Sequence, residues 1–168
     1  MLTKEDITRI RMTKAKLPRL FQGIIEKYSD LELPKLDILK DAQIWIGGSV
    51  QPVKTEMAIN MLRAFTLKTP VKYVNMLDGM NLPYDDVHVF FDDLQEYEGT
   101  LLLDNINQTS NKLFISKLYA LLVGRHYNMS NTICTSAIAV ENLSDIYGAE
   151  LGMYVLRNFK FFKTRESK

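Results

Sequence analysis

Apolar positions along this chain alternate between short consecutive runs and stripes at helical spacing. Residues 42–46, 71–76, 100–103, 132–138 and 159–162 are brief apolar runs, each the length of a buried strand. Between them lie helical patterns. Met57, Ala58, Met61, Leu62 and Phe65 form one stripe over 54–67, and Val87, Phe90, Phe91 and Leu94 form a second that Asp85 or Asp86 would cap and Tyr97 would end. Leu113, Phe114, Leu118, Leu121 and Leu122 give a third over 110–127, and a short helix is expected near 140–147. Asp78-Gly79 with Pro83 reads as a turn-rich connection. Ahead of the first strand, 3–15 and 18–29 look helical, with Pro18 at a helix start and Leu20, Phe21, Ile24, Ile25 and Tyr28 on one face. Repeated alternation of strand and helix predicts an α/β fold, a mostly parallel five-stranded sheet covered on both faces. Pro34 closes the entry segment, so residues 1–35 are expected as a basic helical N-terminal segment and 36–168 as the core. No internal repeat, low-complexity tract or flexible linker is visible.

Composition narrows the class. A chain of 168 residues, 46% hydrophobic and 24% charged, suits one soluble domain with a real core. No apolar run approaches the roughly 18 residues of a membrane span, and MLTKEDITRIRMTKAK has no apolar stretch of the secretory kind. The single cysteine, Cys134, rules out an internal disulfide framework and agrees with a reducing compartment. The expectation is a cytoplasmic protein that does not engage membranes. Net charge of +1 conceals a strong asymmetry. Lys4, Arg9, Arg11, Lys14, Lys16 and Arg19 crowd the start, Arg157, Lys160, Lys163, Arg165 and Lys168 crowd the end, and no Lys or Arg stands between Lys72 and Lys112. That middle stretch holds Asp78, Asp85, Asp86, Asp92, Asp93, Glu96, Glu98 and Asp104. Two readings stand: solvated helix faces and tails, or basic ends that touch nucleic acid and an acidic face that meets a protein partner. On the second, Arg9, Arg11, Lys14, Lys16, Lys160 and Lys163 are the candidate nucleic-acid contacts.

Candidate chemistry centres on Gly48-Ser49-Val50-Gln51-Pro52-Val53-Lys54-Thr55. A working phosphate-binding loop reads G-x-x-x-x-G-K-[ST], and its glycines let successive backbone N–H groups turn onto the phosphates. Gly48, Lys54 and Thr55 keep the spacing. Val53 replaces the second glycine with a β-branched side chain, and Pro52 has no N–H to donate. About fifty residues on, Thr100-Leu101-Leu102-Leu103-Asp104 is a strand ending in acid, as a magnesium-holding second motif would be. Asn105 follows where a second acid would serve as base, and an amide cannot do that. Gly48, Lys54, Thr55 and Asp104 are therefore candidates for weak or vestigial ATP and magnesium binding, without a catalytic residue among them. The plainer alternative for Lys54 and Thr55 is that they simply begin a helix.

From about Leu17 onward the order of segments resembles the AAA+ P-loop domain of the DnaC and DnaI group of bacterial and phage helicase loaders, with the transposition helper IstB nearby. The residues that carry this are LPRLFQG, IWIGGSVQPVKTEMA, TLLLDN, LYALLVGRHYN and TICTSAIAVENL. The resemblance implies a three-layer AAA+/RecA-like fold and a role in DNA replication beside a replicative helicase or an initiation protein. It also exposes departures. Ala137 stands where the family places a polar sensor of the γ-phosphate, no arginine finger is evident in Leu151 to Leu156 although Arg157 is close, and most of the loaders' helicase-binding N-terminal domain is missing from the pattern.

With cradle, acid partner, sensor and finger all altered, ATP turnover is expected to be very slow or absent. The reading is a replication accessory protein, inactive as an ATPase and without a required cofactor, that binds a helicase or initiation protein and contacts DNA through its basic ends. Two alternatives remain open: a divergent, working ATP-binding loader, and a scaffold or inhibitor that mimics a loader subunit within an oligomer. His88 and His126 lack metal-ligand spacing, His126 being expected to meet helix-end carbonyls. Cys134 and Trp45 read as core, and the tyrosines, Tyr73 among them, form no nucleic-acid motif.

Overall fold

The computed structural model describes residues 2–22, 43–48 and 53–163. Its five strands, β1 (Gln43–Gly47), β2 (Val71–Asn75), β3 (Thr100–Asp104), β4 (Thr132–Ser136) and β5 (Lys160–Lys163), form one sheet in the order β2-β3-β4-β1-β5. Every pairing is parallel. Parallel neighbours need crossovers, and helices supply them: α3 (Val53–Phe65) after β1, α4 (Met76–Met80) and α5 (Tyr84–Gln95) after β2, and α6 (Lys112–Tyr127) after β3. A 3₁₀ turn at Val140–Asn142, α7 (Leu143–Tyr147) and α8 (Ala149–Asn158) lead from β4 to β5. Among the described residues, two helices, α1 (Lys4–Lys14) and α2 (Arg19–Gln22), precede the sheet. None of the described helices is long and apolar enough to cross a membrane.

Side-chain alternation along the strands sorts the core into two layers. Ile44 and Ile46 of β1, Leu102 of β3 and Ile133 of β4 face one side, where Ala58, Ile59, Leu62 and Phe65 of α3 cover them together with Met12, Ala15, Leu17 and Phe21. Trp45, Leu101, Leu103 and Cys134 face the other side, against Val87, Phe91 and Leu94 of α5, Phe114, Leu118, Leu121 and Leu122 of α6, and Leu151 and Val155 of α8. Because both faces are buried, β1, β3 and β4 read as continuous apolar runs rather than alternating ones.

The N-terminal helices share this core. Thr3 and Asp6 close a capping box at the start of α1. Ala15 then accepts from the Tyr73 N–H at 2.8 Å, which covers part of the otherwise open edge of β2. The guanidinium of Arg11 donates to the carbonyls of Thr66 and Thr69 just beyond α3, where a cation also suits the negative end of the helix.

Several boundaries differ from the sequence expectation. Pro83, not an aspartate, occupies the N-cap of α5, and its φ of −56° already suits the helix while Asp85 and Asp86 fall in the first turn. Asn75 accepts from the Leu77 N–H and starts α4 inside what reads as a turn-rich connection. Helix α8 has no counterpart in the sequence expectation. It begins after Gly148, whose φ of 89° suits glycine, and packs so tightly that a Cβ on Gly152 would lie 2.4 Å from Ser144 Cα. The helix expected over 18–29 is seen as Arg19–Gln22, and Ile24, Ile25 and Tyr28 lie outside the described residues.

Candidate phosphate-loop site

Strand β1 ends at Gly47, and Gly48 follows with φ 144°, a conformation open to glycine and strained for other residues. Pro52 lies outside the described residues. Val53 is the first residue of α3 and is 42% exposed, so Lys54 and Thr55 stand in the helix's first turn. Lys54 is nevertheless fully buried, and its ammonium donates to the Gly48 carbonyl. Burial pulls this lysine below its ordinary range, while the charge of Asp104 pulls the other way. A lysine depressed in the folded state is a cost near neutral pH, relieved only as pH rises through the folded value.

Asp104 is the hub of the site. Thr55 Oγ1 lies 2.9 Å from its Oδ1 and 3.1 Å from its Oδ2. Thr135 Oγ1 donates to Oδ1 at 2.5 Å, Tyr73 OH donates to Oδ2 at 2.8 Å, and Asn105 Nδ2 donates to Oδ2 at 3.1 Å. Thr135 Oγ1 in turn accepts from the Asn105 N–H at 2.9 Å, and Asn105 Nδ2 also lies 3.2 Å from Asn75 Oδ1. Sheet register produces this convergence: Asn75 stands opposite Asp104 on β2, and Leu103 opposite Cys134 places Thr135 beside the acid. Burial first, then the neighbouring Asp104 charge, pushes the Tyr73 phenol far above its usual range, so it stays a hydrogen-bond donor.

The structure brings Gly48, Lys54, Thr55 and Asp104 together at the carboxyl ends of the strands, the edge where open α/β sheets bind ligands. It also recruits Tyr73 and Thr135, which the sequence did not single out for this site. Ala137 is exposed beyond β4, and the polar residue facing the acid is Thr135. Asn105 holds φ 63° and turns its amide back onto the carboxylate. A carboxylate offers about four lone-pair positions, and Thr55, Tyr73, Thr135 and Asn105 all aim donors at them. Lys54 and Thr55 suit a phosphate, but the acid is engaged by protein on both oxygens and has an amide where a second acid would stand. Among the described residues no group of three His, Cys, Asp or Glu side chains is placed to hold a metal ion.

The basic candidates are not one patch. Arg9, Lys14 and Lys16 are exposed near the β2 edge of the sheet, Arg9 pairing with Asp6 at 3.4 Å. Lys160 and Lys163 are exposed on β5, the opposite edge, with Lys163 3.2 Å from Glu141. Arg11 is only partly exposed, being turned onto the Thr66 and Thr69 carbonyls. His126 meets Tyr154, its Nδ1 2.7 Å from the phenol oxygen, rather than helix-end carbonyls. Its neighbour Arg125 is buried and bridges the 97–99 turn to the start of β4. Cys134 is fully buried, and burial pushes its thiol well above the ordinary range, which leaves it a packing residue.

Neither a protein-family model nor a curated protein sequence matches this chain. Solved structures do. DnaI aligns over 97% of this chain and 86% of its own at 13% identity and a TM-score of 0.61. The DnaC helicase loader aligns over 76% and 81% at 16% identity and a TM-score of 0.59. The replication initiator DnaA, bound to AMPPCP and single-stranded DNA, aligns at 16% identity and a TM-score of 0.57 over 74% of this chain and only 40% of its own. At these identities the likeness is one of fold. With its five parallel strands, helices on both faces and a Lys-Thr pair in the first turn after β1, the chain shares the α/β fold of DnaI and of the DnaC helicase loader.

Proposed function

We propose that this protein is a replication accessory factor with a loader-like fold that does not turn over ATP and acts by binding a replicative helicase or an initiation protein. One observation carries the ATP half of this reading: the Asp104 carboxylate is engaged by Thr55, Tyr73, Thr135 and Asn105, the last an amide where a water-orienting acid would stand. The fold likeness to a helicase loader supports the choice of partner.

Calorimetric titration with Mg-ATP tests the first half, and no binding heat is expected from the wild-type protein. Micromolar binding that disappears in Lys54→Ala would instead establish a divergent, working loader. For the second half, purified replicative helicase from the same cell should co-elute with the protein, and helicase recruitment assays then separate a helper from a loader mimic that blocks. Separate elution of the two proteins at micromolar concentration would count against the helicase as partner.

Any DNA contact would fall to the exposed cations, Arg9, Lys14 and Lys16 at one edge and Lys160 and Lys163 at the other, and would be sequence-independent. Reversing Arg9, Lys14 and Lys16 to Glu should abolish low-salt retention on DNA and flatten its logarithmic salt dependence by a slope of roughly one for each phosphate no longer neutralised. Unchanged retention would reduce these residues to solvated surface.

A further inference from the structure

Helix α5 buries Val87, Phe91 and Leu94 and turns a second set of residues to solvent. Val89 is 63% exposed on that outer face, and Tyr84 at the first turn is 68% exposed. Neighbours on a helix surface lie three and four residues apart, and for Val89 all four of those positions, Asp85, Asp86, Asp92 and Asp93, are exposed aspartates. Glu96 and Glu98 extend the same sign, and no Lys or Arg occurs from 73 to 111 to answer them. Asp92 and Asp93 stand four and three residues before Glu96, spacings at which like charges destabilise a helix. The first-turn pair gains from the helix dipole, whereas Asp92 and Asp93 sit toward its unfavourable end. Within the molecule the described ion pair on this face is Lys117 with Asp92, at 3.9 Å, the aspartate exposed and the lysine partly buried. An apolar side chain ringed by carboxylates is thus presented with little internal compensation.

The chain carries the complement elsewhere. Lys14, Lys16 and Arg19 are exposed around the end of α1 and the start of α2, and Leu20 beside them is 77% exposed. The two surfaces cannot meet within one molecule, because α1 and α2 pack with α3 on one layer of the sheet and α5 packs on the other. We propose that they meet between molecules: the α1–α2 junction of one copy docks on the outer face of α5 of the next, Leu20 against Val89, with Lys14, Lys16 and Arg19 among the aspartates. A net charge of +1 leaves no long-range repulsion between copies to oppose this. Since the two patches are different and lie on opposite layers, the contact is heterologous and open-ended, so the mass should rise with concentration rather than stop at a dimer.

Sedimentation equilibrium without nucleotide or DNA tests the contact. At about 50 mM NaCl and about 100 µM protein, the weight-average mass should exceed the 19.4 kDa monomer at least about twofold. At about 500 mM NaCl, where screening acts over a few ångströms, it should return to monomer. Asp86→Lys with Asp93→Lys in one variant, and Lys14→Glu with Arg19→Glu in another, should each be monomeric alone at low salt. Mixed in equal amounts they should associate again, because reversed α5 then faces a reversed α1–α2 junction. Circular dichroism melts matching wild type confirm that both variants fold, which the solvent exposure of all four positions favours. A wild-type protein that stays monomeric at low salt overturns the proposal. So does association that survives high salt, and so does failure of the two folded variants to rescue one another.

Discussion

Replacing Arg125 with Ala should lower stability by about 4 kcal/mol, the sum expected when several buried acceptors lose a charged donor at roughly 1–3 kcal/mol each. The side chain is 2% exposed, and it donates four hydrogen bonds to neutral oxygens. Nε meets Thr132 Oγ1 at 3.0 Å, Nη1 meets the Tyr97 carbonyl at 2.7 Å, and Nη2 meets the carbonyls of Gly99 and Asn131 at 2.7 and 2.8 Å. Burial pulls the guanidinium down to about 10, still far enough above neutrality that it remains charged. These bonds hold the end of α6 to the turn before β3 and to the first residue of β4, so they set how the two central strands enter the sheet. At about 2–4 °C per kcal/mol for a chain of this size, the melting point should fall by about 8–16 °C. Arg125→Met should recover the packing but not the carbonyls, and should retain more than half the loss. An unfolding free energy from urea titration within about 1 kcal/mol of wild type for the Ala variant would show that water takes over the acceptors and that Arg125 is not a clamp.

Asp104→Ala is expected to cost about 3 kcal/mol, and the reason is again that several partners are orphaned at once. Thr55, Tyr73, Thr135 and Asn105 would lose their shared acceptor in a site where Asp104 is 1% exposed. Asp104→Asn should be little better, because the amide turns an NH₂ group toward existing donors. Tyr73→Phe, which removes a single donor, should cost about 1 kcal/mol. Thermal melts with and without Mg-ATP divide a structural acid from a magnesium-handling one. The structural role requires the full loss without nucleotide and no shift of wild type on adding it. A wild-type melting point that climbs with Mg-ATP, coupled to an Asp104→Asn variant of normal stability, would assign the acid to nucleotide instead.

The same loop and acid illustrate what can be read from a linear sequence. Gly48, Lys54, Thr55 and Asp104 were legible because a glycine after a strand, a lysine and hydroxyl opening a helix and an acid ending a second strand are local signals at fixed spacing. Tyr73 and Thr135 were not. Each lies 31 positions from Asp104, and only the pairing of β2 and β4 on either side of β3 makes them its neighbours. Helix α8 is hidden for a related reason. Gly152 weakens it as an isolated helix, and it is held by packing of Leu151, Gly152 and Val155 against α7 and the sheet. His126 and Arg11 show the same limit: their partners, Tyr154 and the carbonyls beyond α3, belong to other elements.

The sequence by itself determined the alternation of strands and helices, the two-layered burial of the central strands and the placing of a phosphate-loop frame after β1. These depend on the period of apolar residues and on short-range stereochemistry, which act along the chain. Tertiary structure alone decided that Asp104 is enclosed by four donors, that the N- and C-terminal cations lie at opposite edges of the sheet, and that the carboxylates around Val89 face away from the basic α1–α2 junction. Each of those facts follows from strand order and register, which join residues far apart in the chain through contacts that no local pattern encodes.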